Sequence, residues 1–563
     1  MLRSEETTDP RTAFEAMSNT RFFQAANFLG WNSMAVRNWN KDRAQERIRG
    51  WVNQVSKVEI KEYVRDTDLS GLGNGVAYRV DGVHLYVDIL NIDEMLGVTD
   101  AEGVRAHSRT LRFLDRHYRA VRDILKDVDA IQVDFHNQRL HAVVAKPYGD
   151  EAGRIHKAVA TAQLIIDVLA RTGEDSDDPL PAATVRAGID SGTALAVNNG
   201  RRGNREPLFL GEPANLAAKR SGGGADAGIY MTNTARAVVG WSTVKDEDKT
   251  ALTNAQIEQS EDVADIEVTA DDVVEDWEEG LANQPLGSFE FTRHTPPLAD
   301  LDLESLTPSN SRRQGSMSIY ADIDGFTDYV SDKVDEDNSA KDVVRALHVL
   351  RAELDAVLHV DFAGRKIRFI GDCVHGVLVE GTSQTTDDAE TAKNALLCAA
   401  AMRSSFEEAI SILEEEGIDT GDLGIQIGLE QGPTAISRLG YKGERIRCCI
   451  SRAVLRSEDE QRRCKGNETA IGPTTYRYAP EAFRALFGAS RIRADFDYDE
   501  ATEALAGANT SQKATSASTL DATLPSDQPS RLGRAPASAA AVFTLPAQAA
   551  GPTNPKKVPA GFA

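Results

Sequence analysis

Two aspartates fifty positions apart are the residues of this sequence best placed to do chemistry. Asp322 lies in the segment 320–327 (YADIDGFT), and Asp372 follows the apolar run 365–370 at a Gly-Asp turn. Each carboxylate closes a segment of strand character, and two neighbouring strand-end carboxylates form a hard oxygen site that suits Mg²⁺ or Mn²⁺. The turn at Gly325 offers backbone N–H groups to a phosphate chain. Together these features predict metal-assisted phosphoryl transfer from a nucleotide.

The elements that must position these carboxylates occur twice along the chain. Each half follows the same plan of a strand, a helical stretch, a hairpin, a second helix and another strand. The matching segments are 85–89 with 319–323, 131–138 with 365–372, 185–192 with 425–432, and 228–232 with 470–474. The first two pairs are spaced by 234 residues and the third by 240. The repeat predicts an α/β (α+β) fold made of two ferredoxin-like sandwiches.

Composition divides the chain further. We expect a helical N-terminal segment over 1–75, a first domain over 76–300, a linker over 301–316, a second domain over 317–490 and a disordered tail over 501–563. The first domain carries an acidic insertion, either solvated or helical, at 245–280. The N-terminal segment is rich in aromatic residues, which predicts a helix packed on its own domain, with dimerisation or partner binding as the alternative. These residues are Phe22, Phe23, Trp31, Trp39 and Trp51.

Charge and cysteine content restrict the partners and the compartment. The formal net charge of −24 argues against a broad surface for nucleic acid or an anionic membrane, although a metal-bound anionic ligand remains compatible with it. No stretch approaches the roughly 20 apolar residues of a membrane span. The odd, clustered set of cysteines, without CxxC spacing, is typical of reduced thiols, so we expect a cytoplasmic protein. They are Cys373, Cys398, Cys448, Cys449 and Cys464.

The segments 321–327 and 371–372 resemble the metal-binding half of a class III nucleotidyl cyclase. The segment 209–220 (FLGEPANLAAKR) resembles the part of that family in which a helix presents an Asn and, four residues on, a basic residue. In that family the site forms between two cyclase domains packed head to tail. The resemblance implies that Asp322 and Asp372, with the carbonyl of Ile323, bind two divalent metal ions, Mn²⁺ or Mg²⁺.

The same resemblance implies that the two halves share the catalytic work. Asn215 would orient the ribose of a nucleoside triphosphate, and Lys219 would stabilise charge on its α-phosphate. The family usually has Arg at the second position, so Arg220 is an alternative to Lys219.

The matching positions of the other half depart from the family pattern. Ser451 is aligned with Asn215, and Gln138 replaces the second metal aspartate beside Asp88. A neutral Gln cannot supply the charge that a second Mg²⁺ requires. We therefore expect one competent site and one degenerate site per chain, built by pairing of the two halves within the chain.

The residues that would read the base also depart from the common patterns. Four residues before the hairpin aspartate, adenylyl cyclases have Lys and guanylyl cyclases have Glu. Here the position is Arg368 in the second half and Asp134 in the first, and the other base-reading position is Leu208. Phe326, in the Gly325 turn, is taken as a further nucleotide-binding residue. This set resembles the pyrimidine cyclases of bacterial Pycsar anti-phage systems, whose cyclic UMP or cyclic CMP activates a separate effector protein.

The identity of the base stays open at this point. Arg donors suit the O2 and O4 acceptors of uracil, which favours UTP. Head-to-tail pairing, however, would place Asp134 rather than Arg368 opposite the metals, and Asp134 could accept from uracil N3–H or from the cytosine amine. Homodimerisation through the second domain could place Arg368 differently. The alternatives are a cytidylate or adenylate cyclase, a non-catalytic nucleotide-binding protein, and a polymerase-palm-like enzyme.

Overall fold

The structure is a computed structural model that describes residues 37–65, 67–69, 71–97, 101–173, 180–198 and 207–507. Expectations that concern residues before 37 or after 507 therefore lie outside the described residues. These include Phe22, Phe23, Trp31 and most of the tail expected over 501–563. The first part of that tail, residues 501–507, is helical.

Within the described residues, the first half is built on a seven-stranded sheet. Its strand order is β3-β4-β2-β5-β6, with β1 beside β2 and β7 beside β5. The long central strands β2 and β5 pair antiparallel along most of their length. The elements are α1 (Lys41–Gln54), β1 (Glu59–Glu62), β2 (Val76–Ile89), α2 (Ile92–Leu96), α3 (Val104–Asp127), β3 (Ile131–His136), β4 (Arg139–Val144), α4 (Glu151–Leu169), β5 (Val185–Asn198), β6 (Pro207–Leu210), α5 (Glu212–Gly222), β7 (Gly228–Met231), α6 (Asn233–Val238), α7 (Asn254–Ala264) and α8 (Ala270–Asn283).

The second half repeats this plan on an eight-stranded sheet, again counted over the described ranges. Its order is β10-β11-β9-β12-β14-β15, with β8 beside β9 and β13 beside β12. The shared topology confirms the expected duplication of an α/β sandwich. The elements are β8 (Phe291–Thr292), β9 (Ser311–Asp324), α9 (Phe326–Ser331), α10 (Asp337–Ala356), β10 (Arg365–Ile370), β11 (Cys373–Leu378), α11 (Asp388–Glu415), β12 (Gly424–Leu439), β13 (Ile446–Ile450), α12 (Arg452–Arg462), β14 (Glu468–Ile471), α13 (Pro473–Tyr478), α14 (Glu481–Phe487) and β15 (Ile492–Ala494).

The two halves share their hydrophobic cores. Leu195 and Leu208, from β5 and β6 of the first half, lie in the core cluster of the second half. Leu439 and Cys448, from β12 and β13 of the second half, lie in the core cluster of the first. Since apolar burial is the main driving force of folding, these shared side-chain contacts hold the two halves together within one chain.

Residues 301–316 do not form the expected linker. Leu301, Leu303 and Leu306 are buried in a cluster with Tyr320 of β9, and β9 itself begins at Ser311. The short strand β8 already belongs to the second sheet, where it pairs in parallel with β9. The sequence predicted a linker because most residues of the segment are polar, but its leucines pack in the core of the second half and hold it there.

The N-terminal helix α1 packs on the second half, and not on the first domain as its position in the chain suggested. Its buried residues Ala44 and Ile48 join the second core cluster. The guanidinium of Arg47 donates to Glu353 of α10, at 2.6 Å, and to Asp361, at 2.9 Å. The strand that follows, β1, joins the first sheet. This part of the chain therefore ties the two halves together.

The acidic insertion folds as the helices α7 and α8. Trp277 of α8 is buried, and its indole N–H donates to the carbonyl oxygen of Arg116 in α3 at 3.2 Å. The insertion is thus packed on the first half through one apolar face, with its carboxylates outward. Among the helices of the described residues, none combines the length and the apolar character needed to cross a membrane.

Candidate functional site

The β10–β11 hairpin brings Asp372 beside the end of β9, where Asp322 lies. Val374 of β11 pairs with Ala321 of β9, so the turn before β11 sits against the residues after Ala321. The turn consists of Gly371 and Asp372, and Gly371 has a φ of 59°, a left-handed conformation that glycine adopts without a Cβ penalty. Asp322 is 3% exposed and Asp372 is fully buried.

The oxygens of the two carboxylates receive few hydrogen bonds from the described residues. Asp322 Oδ2 accepts a hydrogen bond from Gln461 Nε2 at 3.0 Å. No other residue in the described part of the chain donates to Asp322 Oδ1 or to either carboxylate oxygen of Asp372. Burial raises the pKa of both carboxyl groups, and the nearby charges of Asp372 and Asp324 raise the pKa of Asp322 further. Buried carboxylates with unused oxygens are costly unless a cation neutralises them, so the pair fits a divalent metal.

The donor set fits a metal that arrives with its substrate. Across the described ranges, no group of three or more His, Cys, Asp or Glu side chains is arranged to hold a metal ion. Asp322 and Asp372 would therefore need further oxygen ligands. Ile323 has its side chain in the core, so only its backbone carbonyl could contribute. Mg²⁺ is commonly bound by one or two carboxylates together with substrate phosphates, which agrees with this limited set.

The turn after Asp322 presents backbone rather than the side chain of Phe326. Gly325 has a φ of 77° and precedes helix α9. The phenyl ring of Phe326 is 1% exposed and lies in the hydrophobic core, which leaves its backbone N–H as the group that could meet a nucleotide. Thr327 was not singled out from the sequence, although its buried hydroxyl has no hydrogen-bond partner among the described residues.

Helix α5 carries Asn215 and Lys219 from the first half to the second half. It contacts α9, the helix that begins directly after the Asp322–Gly325 turn. Asn215 is 2% exposed, and within the described residues neither atom of its side-chain amide has a hydrogen-bond partner. A buried amide without partners is rare and is expected where a ligand completes it.

The two basic residues of α5 differ in their surroundings. The guanidinium of Arg220 forms ion pairs with Glu247, at 2.8 Å, and with Asp248, at 3.2 Å, both of its own half. Lys219 is half-buried, and the described chain offers its ammonium no ion pair or hydrogen bond. Of these two residues, Lys219 has the cation that is not already engaged.

The base-reading candidates Asp134 and Arg368 bind each other across the two halves. Arg368 Nη1 donates to Asp134 Oδ1 at 2.9 Å, and Arg368 Nη2 donates to the carbonyl oxygen of Arg447 at 2.6 Å. Arg368 is 3% exposed, so its guanidinium is committed to these acceptors. The sequence could not show this pairing, because the two residues belong to different hairpins.

Asp134 and Leu208 border a small cavity next to the turn that carries Asp372. The cavity has a volume of about 30 Å³, and Gly371 closes one side of it. Its remaining lining residues are Tyr86, Val133, His136, Arg139, Leu140, His141 and Ile370. This volume is far below the roughly 300–1,000 Å³ of common ligand pockets.

Tyr86 and His141 form an aromatic wall of this cavity that the sequence reading did not assign to the site. Their rings stack with centroids 3.9 Å apart and an angle of 14° between planes. The matching residues of the second half, Tyr320 and His375, stack in the same way, at 4.4 Å. The spacing of 234 residues that relates the two pairs was visible in the sequence and is the signal that could have revealed them.

Helices α5 and α12 are equivalent elements of the two halves. The backbone of each helix packs on a glycine of the adjoining strand, and these contacts show that the equivalent residues are 240 positions apart. A Cβ on Gly188 of β5 would clash with the backbone of Ala217 in α5. A Cβ on Gly428 of β12 would clash with the backbone of Ser457 in α12. Both glycines and both helix residues lie 240 positions apart.

This register corrects the expected counterpart of Asn215. Ser451 precedes α12 and caps it, accepting a hydrogen bond from the backbone N–H of Val454 at 3.0 Å. It corresponds to Gly211, the residue before α5. Leu455 stands where Asn215 stands. The sequence alignment had matched two short polar residues and so placed the helices one turn out of register.

The degenerate site, defined by Asp88, Gln138 and Leu455, contains a fixed positive charge. Arg139 Nε lies 3.6 Å from Asp88 Oδ2, and Arg139 Nη1 donates to Glu458 Oε1 at 2.5 Å. Burial alone would raise the pKa of Glu458, but the guanidinium groups of Arg139 and Arg462 together lower it to about 2. A guanidinium beside Asp88 repels a metal cation, so this half of the repeat is unsuited to metal-dependent catalysis.

Two sheets of the same topology and a buried carboxylate pair at the junction between the halves define a class III nucleotidyl cyclase. Residues 310–485 match the adenylate and guanylate cyclase catalytic domain family. The chain belongs to this class III cyclase family, whose members act on nucleoside triphosphates and generally use divalent metals.

Two curated relatives match most of the chain. A uridylate cyclase of Pseudomonas aeruginosa is 53% identical over 84% of this chain and 92% of its own length. A uridylate cyclase of a Rhizobium species is 40% identical over 73% of this chain and 81% of its own length. The crystal structure of a class III adenylyl cyclase-like ATP-binding protein from Pseudomonas aeruginosa is 53% identical, with a TM-score of 0.81, and the match covers 83% of this chain and 99% of that one.

Proposed function

We propose that this chain converts UTP to cyclic UMP and pyrophosphate at a single site between its two halves. The observation that carries the proposal is the set of unsatisfied polar groups contributed by both halves. Asp322 and Asp372 of the second half have unused carboxylate oxygens, and Asn215 and Lys219 of the first half have an unused amide and an unused ammonium. The names of the two curated relatives support UTP as the substrate.

In the proposed reaction the ribose 3′-hydroxyl loses its proton to solvent and its oxygen bonds to the α-phosphorus. The bond between the α-phosphorus and the oxygen that bridges to the β-phosphorus breaks, and pyrophosphate leaves. Asp322, Asp372 and the carbonyl of Ile323 would hold the divalent metal, Mn²⁺ or Mg²⁺, with two ions as the full complement. The metal supplies Lewis acidity that lowers the pKa of the attacking hydroxyl and neutralises phosphate charge. Asn215 hydrogen-bonds and orients the ribose, and the ammonium of Lys219 stabilises the charge that develops on the α-phosphate.

Asp134 would recognise the base by a hydrogen bond, and Arg368 would hold the carboxylate of Asp134 in position. Uracil presents one ring donor, N3–H, which the carboxylate of Asp134 can accept. Arg368 of β10 donates a hydrogen bond to this carboxylate and thereby fixes its position. Leu208 supplies an apolar contact for the face of the base. Cytosine also presents a donor, its exocyclic amine, so the choice of uracil rests on the curated relatives.

The product of a nucleotide mixture tests this proposal. The purified chain is incubated with Mn²⁺ and equal amounts of ATP, GTP, CTP and UTP, and the products are identified by mass. Cyclic UMP should dominate, and Asp322→Asn should form none of it. Dominant cyclic CMP or cyclic AMP would overturn the assignment of the base. Binding of nucleotide without any cyclic product would point instead to a non-catalytic nucleotide-binding protein.

We also infer a role in antiviral defence, in which cyclic UMP activates a separate effector protein. The resemblance of Arg368 and of the Asn-x-x-x-Lys helix to pyrimidine cyclases of anti-phage systems supports this role. The five cysteines are buried and free, which suits action in the reducing cytoplasm. Cyclic UMP should rise in phage-infected cells that carry the chain and stay at baseline in cells with Asp372→Asn. No rise on infection would contradict the defence role while leaving the enzymatic proposal intact.

A further inference from the structure

Gln461, near the end of helix α12, has a buried side-chain amide next to the proposed metal site. The residue is 5% exposed, and its Nε2 donates to Asp322 Oδ2 at 3.0 Å and to Gln426 Oε1 at 2.9 Å. Gln426 Nε2 in turn donates to Asp324 Oδ1 at 2.6 Å. Two amides thus connect two carboxylates. The direction of these hydrogen bonds is fixed, because an ionised carboxylate can only accept.

Two different elements bring the amides to Asp322. Gln426 of β12 pairs in register with Asp322 of β9, so the two side chains lie on the same face of the sheet. Helix α12 approaches β12 at Gly428, where a Cβ would stand 2.2 Å from the backbone nitrogen of Gln461. The absence of a side chain at Gly428 therefore allows the close packing that fixes the position from which Gln461 reaches Asp322.

The equivalent positions of the first half contain no such pair of amides. Ser221 is equivalent to Gln461, and its hydroxyl donates to a backbone carbonyl oxygen of its own helix at 3.0 Å. Arg186 is equivalent to Gln426 and pairs in register with Asp88. The guanidinium of Arg186 donates to three backbone carbonyl oxygens. The paired amides therefore accompany the half that keeps both metal aspartates.

We propose that Gln461 is a positioning residue for the metal site, and that Gln426 holds Gln461 in place. One N–H group of Gln461 occupies Asp322 Oδ2, so this carboxylate is held with Oδ1 available to a divalent metal ion. An amide suits this task because it donates a hydrogen bond without adding charge. A guanidinium or an ammonium would hold the carboxylate equally well but would repel the metal. The inference rests on the proposed function, which places the metal at Asp322.

Binding of Mn²⁺ in the absence of turnover tests the role of Gln461. The full-length chain is titrated with Mn²⁺ in the presence of 3′-deoxy-UTP, which lacks the attacking hydroxyl. Electron paramagnetic resonance measures the free ion, and a titration without protein is subtracted. Gln461→Met keeps the length of the side chain and removes its donor, so the dissociation constant of Mn²⁺ should rise about tenfold or more.

A double-mutant cycle tests the role of Gln426. Gln426→Met should also raise the dissociation constant of Mn²⁺, but by less than Gln461→Met does, because Gln461 still reaches Asp322. The double variant should bind Mn²⁺ no more weakly than Gln461→Met, since the two amides act as one unit. Additive effects of the two substitutions would overturn the role of Gln426.

Glu460→Gln is the matched control on the same helix. The carboxylate of Glu460 forms ion pairs with Arg491, at 3.1 Å, and with Arg463. Its replacement should leave the dissociation constant of Mn²⁺ unchanged, even if thermal unfolding in EDTA shows a lower melting temperature. An equal loss of Mn²⁺ affinity in Glu460→Gln and Gln461→Met would show a structural effect of α12 and would overturn the proposal.

Steady-state kinetics separates positioning from loss of folded enzyme. Gln461→Met should raise the Mn²⁺ concentration for half-maximal turnover, and most of the turnover number should return at saturating Mn²⁺. Loss of folded enzyme would lower turnover at every Mn²⁺ concentration. Wild-type Mn²⁺ affinity in Gln461→Met, or no Mn²⁺ binding by the wild type, would overturn the proposal. Mn²⁺ binding that Gln461→Met weakens, without any cyclic UMP from UTP, would contradict the proposed function and retain the role of Gln461.

Discussion

At the scale of single residues, Asp372 stands in a position that costs stability unless a cation neutralises it. Both of its oxygens are buried and receive no hydrogen bond from another residue of the described chain. A hydroxyl or an amide there would be less costly than a carboxylate, because removing an uncompensated buried charge is neutral or stabilising. The proposed metal site therefore accounts for this residue better than the stability of the folded state does.

We expect Asp372→Asn to abolish cyclisation and to leave the metal-free protein as stable as the wild type or more so. The rate should fall at least about 100-fold, since the amide cannot supply the charge that holds the metal. Product assays by mass and thermal unfolding in EDTA measure the two effects. A strongly destabilised variant would show that Asp372 is a structural residue.

Lys219 and Arg220 are neighbouring basic residues on one helix, so alanine substitutions at the two positions can be compared directly. Lys219→Ala should lower kcat by about 100-fold or more with little change in melting temperature, because its ammonium is not engaged by the described residues. Arg220→Ala should reduce stability and leave kcat largely intact, since its ion pairs with Glu247 and Asp248 hold a loop of the first half. Steady-state kinetics and thermal unfolding of both variants distinguish them. The reverse pattern would assign the catalytic cation to Arg220.

At the scale of elements, helix α1 is fastened by a charged network and not only by its apolar stripe. The Arg47 side chain is 16% exposed, whereas its partners Glu353 and Asp361 are 1% and 0% exposed. Removing one partner of a buried ion pair leaves the other charges unpaired. The helix is therefore docked at a defined place on α10, where a sequence pattern alone could not locate it.

We expect Arg47→Ala to destabilise the protein by about 3 kcal/mol, because it leaves the buried carboxylate of Glu353 without its cation, whereas Asp361 keeps its ion pair with Arg43. Arg49→Ala is the control on the same helix, since Arg49 pairs with Glu415 and both side chains are about half exposed. That change should cost no more than about 0.5 kcal/mol. Urea unfolding of the three proteins measures the difference. Equal effects of the two substitutions would show that α1 is held by its apolar face alone.

Strands β2 and β4 contain a buried histidine pair that should make stability depend on pH. His84 Nδ1 lies 3.1 Å from His141 Nε2, and burial lowers the pKa of His84 to about 3. The unfolded chain binds a proton near pH 6.5 that the folded chain excludes, so stability falls as pH drops below about 6.5. Each such histidine contributes about 1.4 kcal/mol per pH unit in that range.

Replacing His141 with Gln should therefore flatten the dependence of the free energy of unfolding on pH. The pKa of His141 is also lowered, by burial and then by His84, so its share of the effect is lost in the variant. Urea unfolding at pH 7.5 and pH 5.5 measures both slopes. An unchanged slope would show that His141 binds its proton equally well in the folded and the unfolded chain.

What the sequence could predict depends on how local the determining contacts are. Asp322 and Asp372 could be singled out as candidates because each sits in a short motif with its own strand and turn. The pairing of Arg368 with Asp134 was not found, because it depends on how two hairpins 234 residues apart approach each other. The true counterpart of Asn215, Leu455, likewise required the packing of α12 on its strand.

At the scale of the whole molecule, the boundary between the halves is not where composition placed it. Apolar side chains of β5 and β6 pack in the core of the second half, and apolar side chains of β12 and β13 pack in the core of the first half. Leu298, Leu301, Leu303 and Leu306 belong to the second half. A division after residue 300 therefore separates Leu298 from the half that buries it.

Cutting the chain between residues 286 and 287 should give two fragments that are inactive alone and that restore cyclase activity when co-expressed. This cut lies in a loop between α8 and β8, and it leaves each sheet and its leucines intact. A cut after residue 306 should restore much less activity, because it strands the leucines that pack on Tyr320. Cyclic nucleotide formation and gel filtration of the co-expressed fragments measure both outcomes. Full activity of the isolated second fragment would show that the site does not need Asn215 and Lys219 from the first fragment. Activity that appears only when the two fragments are co-expressed would place the reaction at the junction of the two halves.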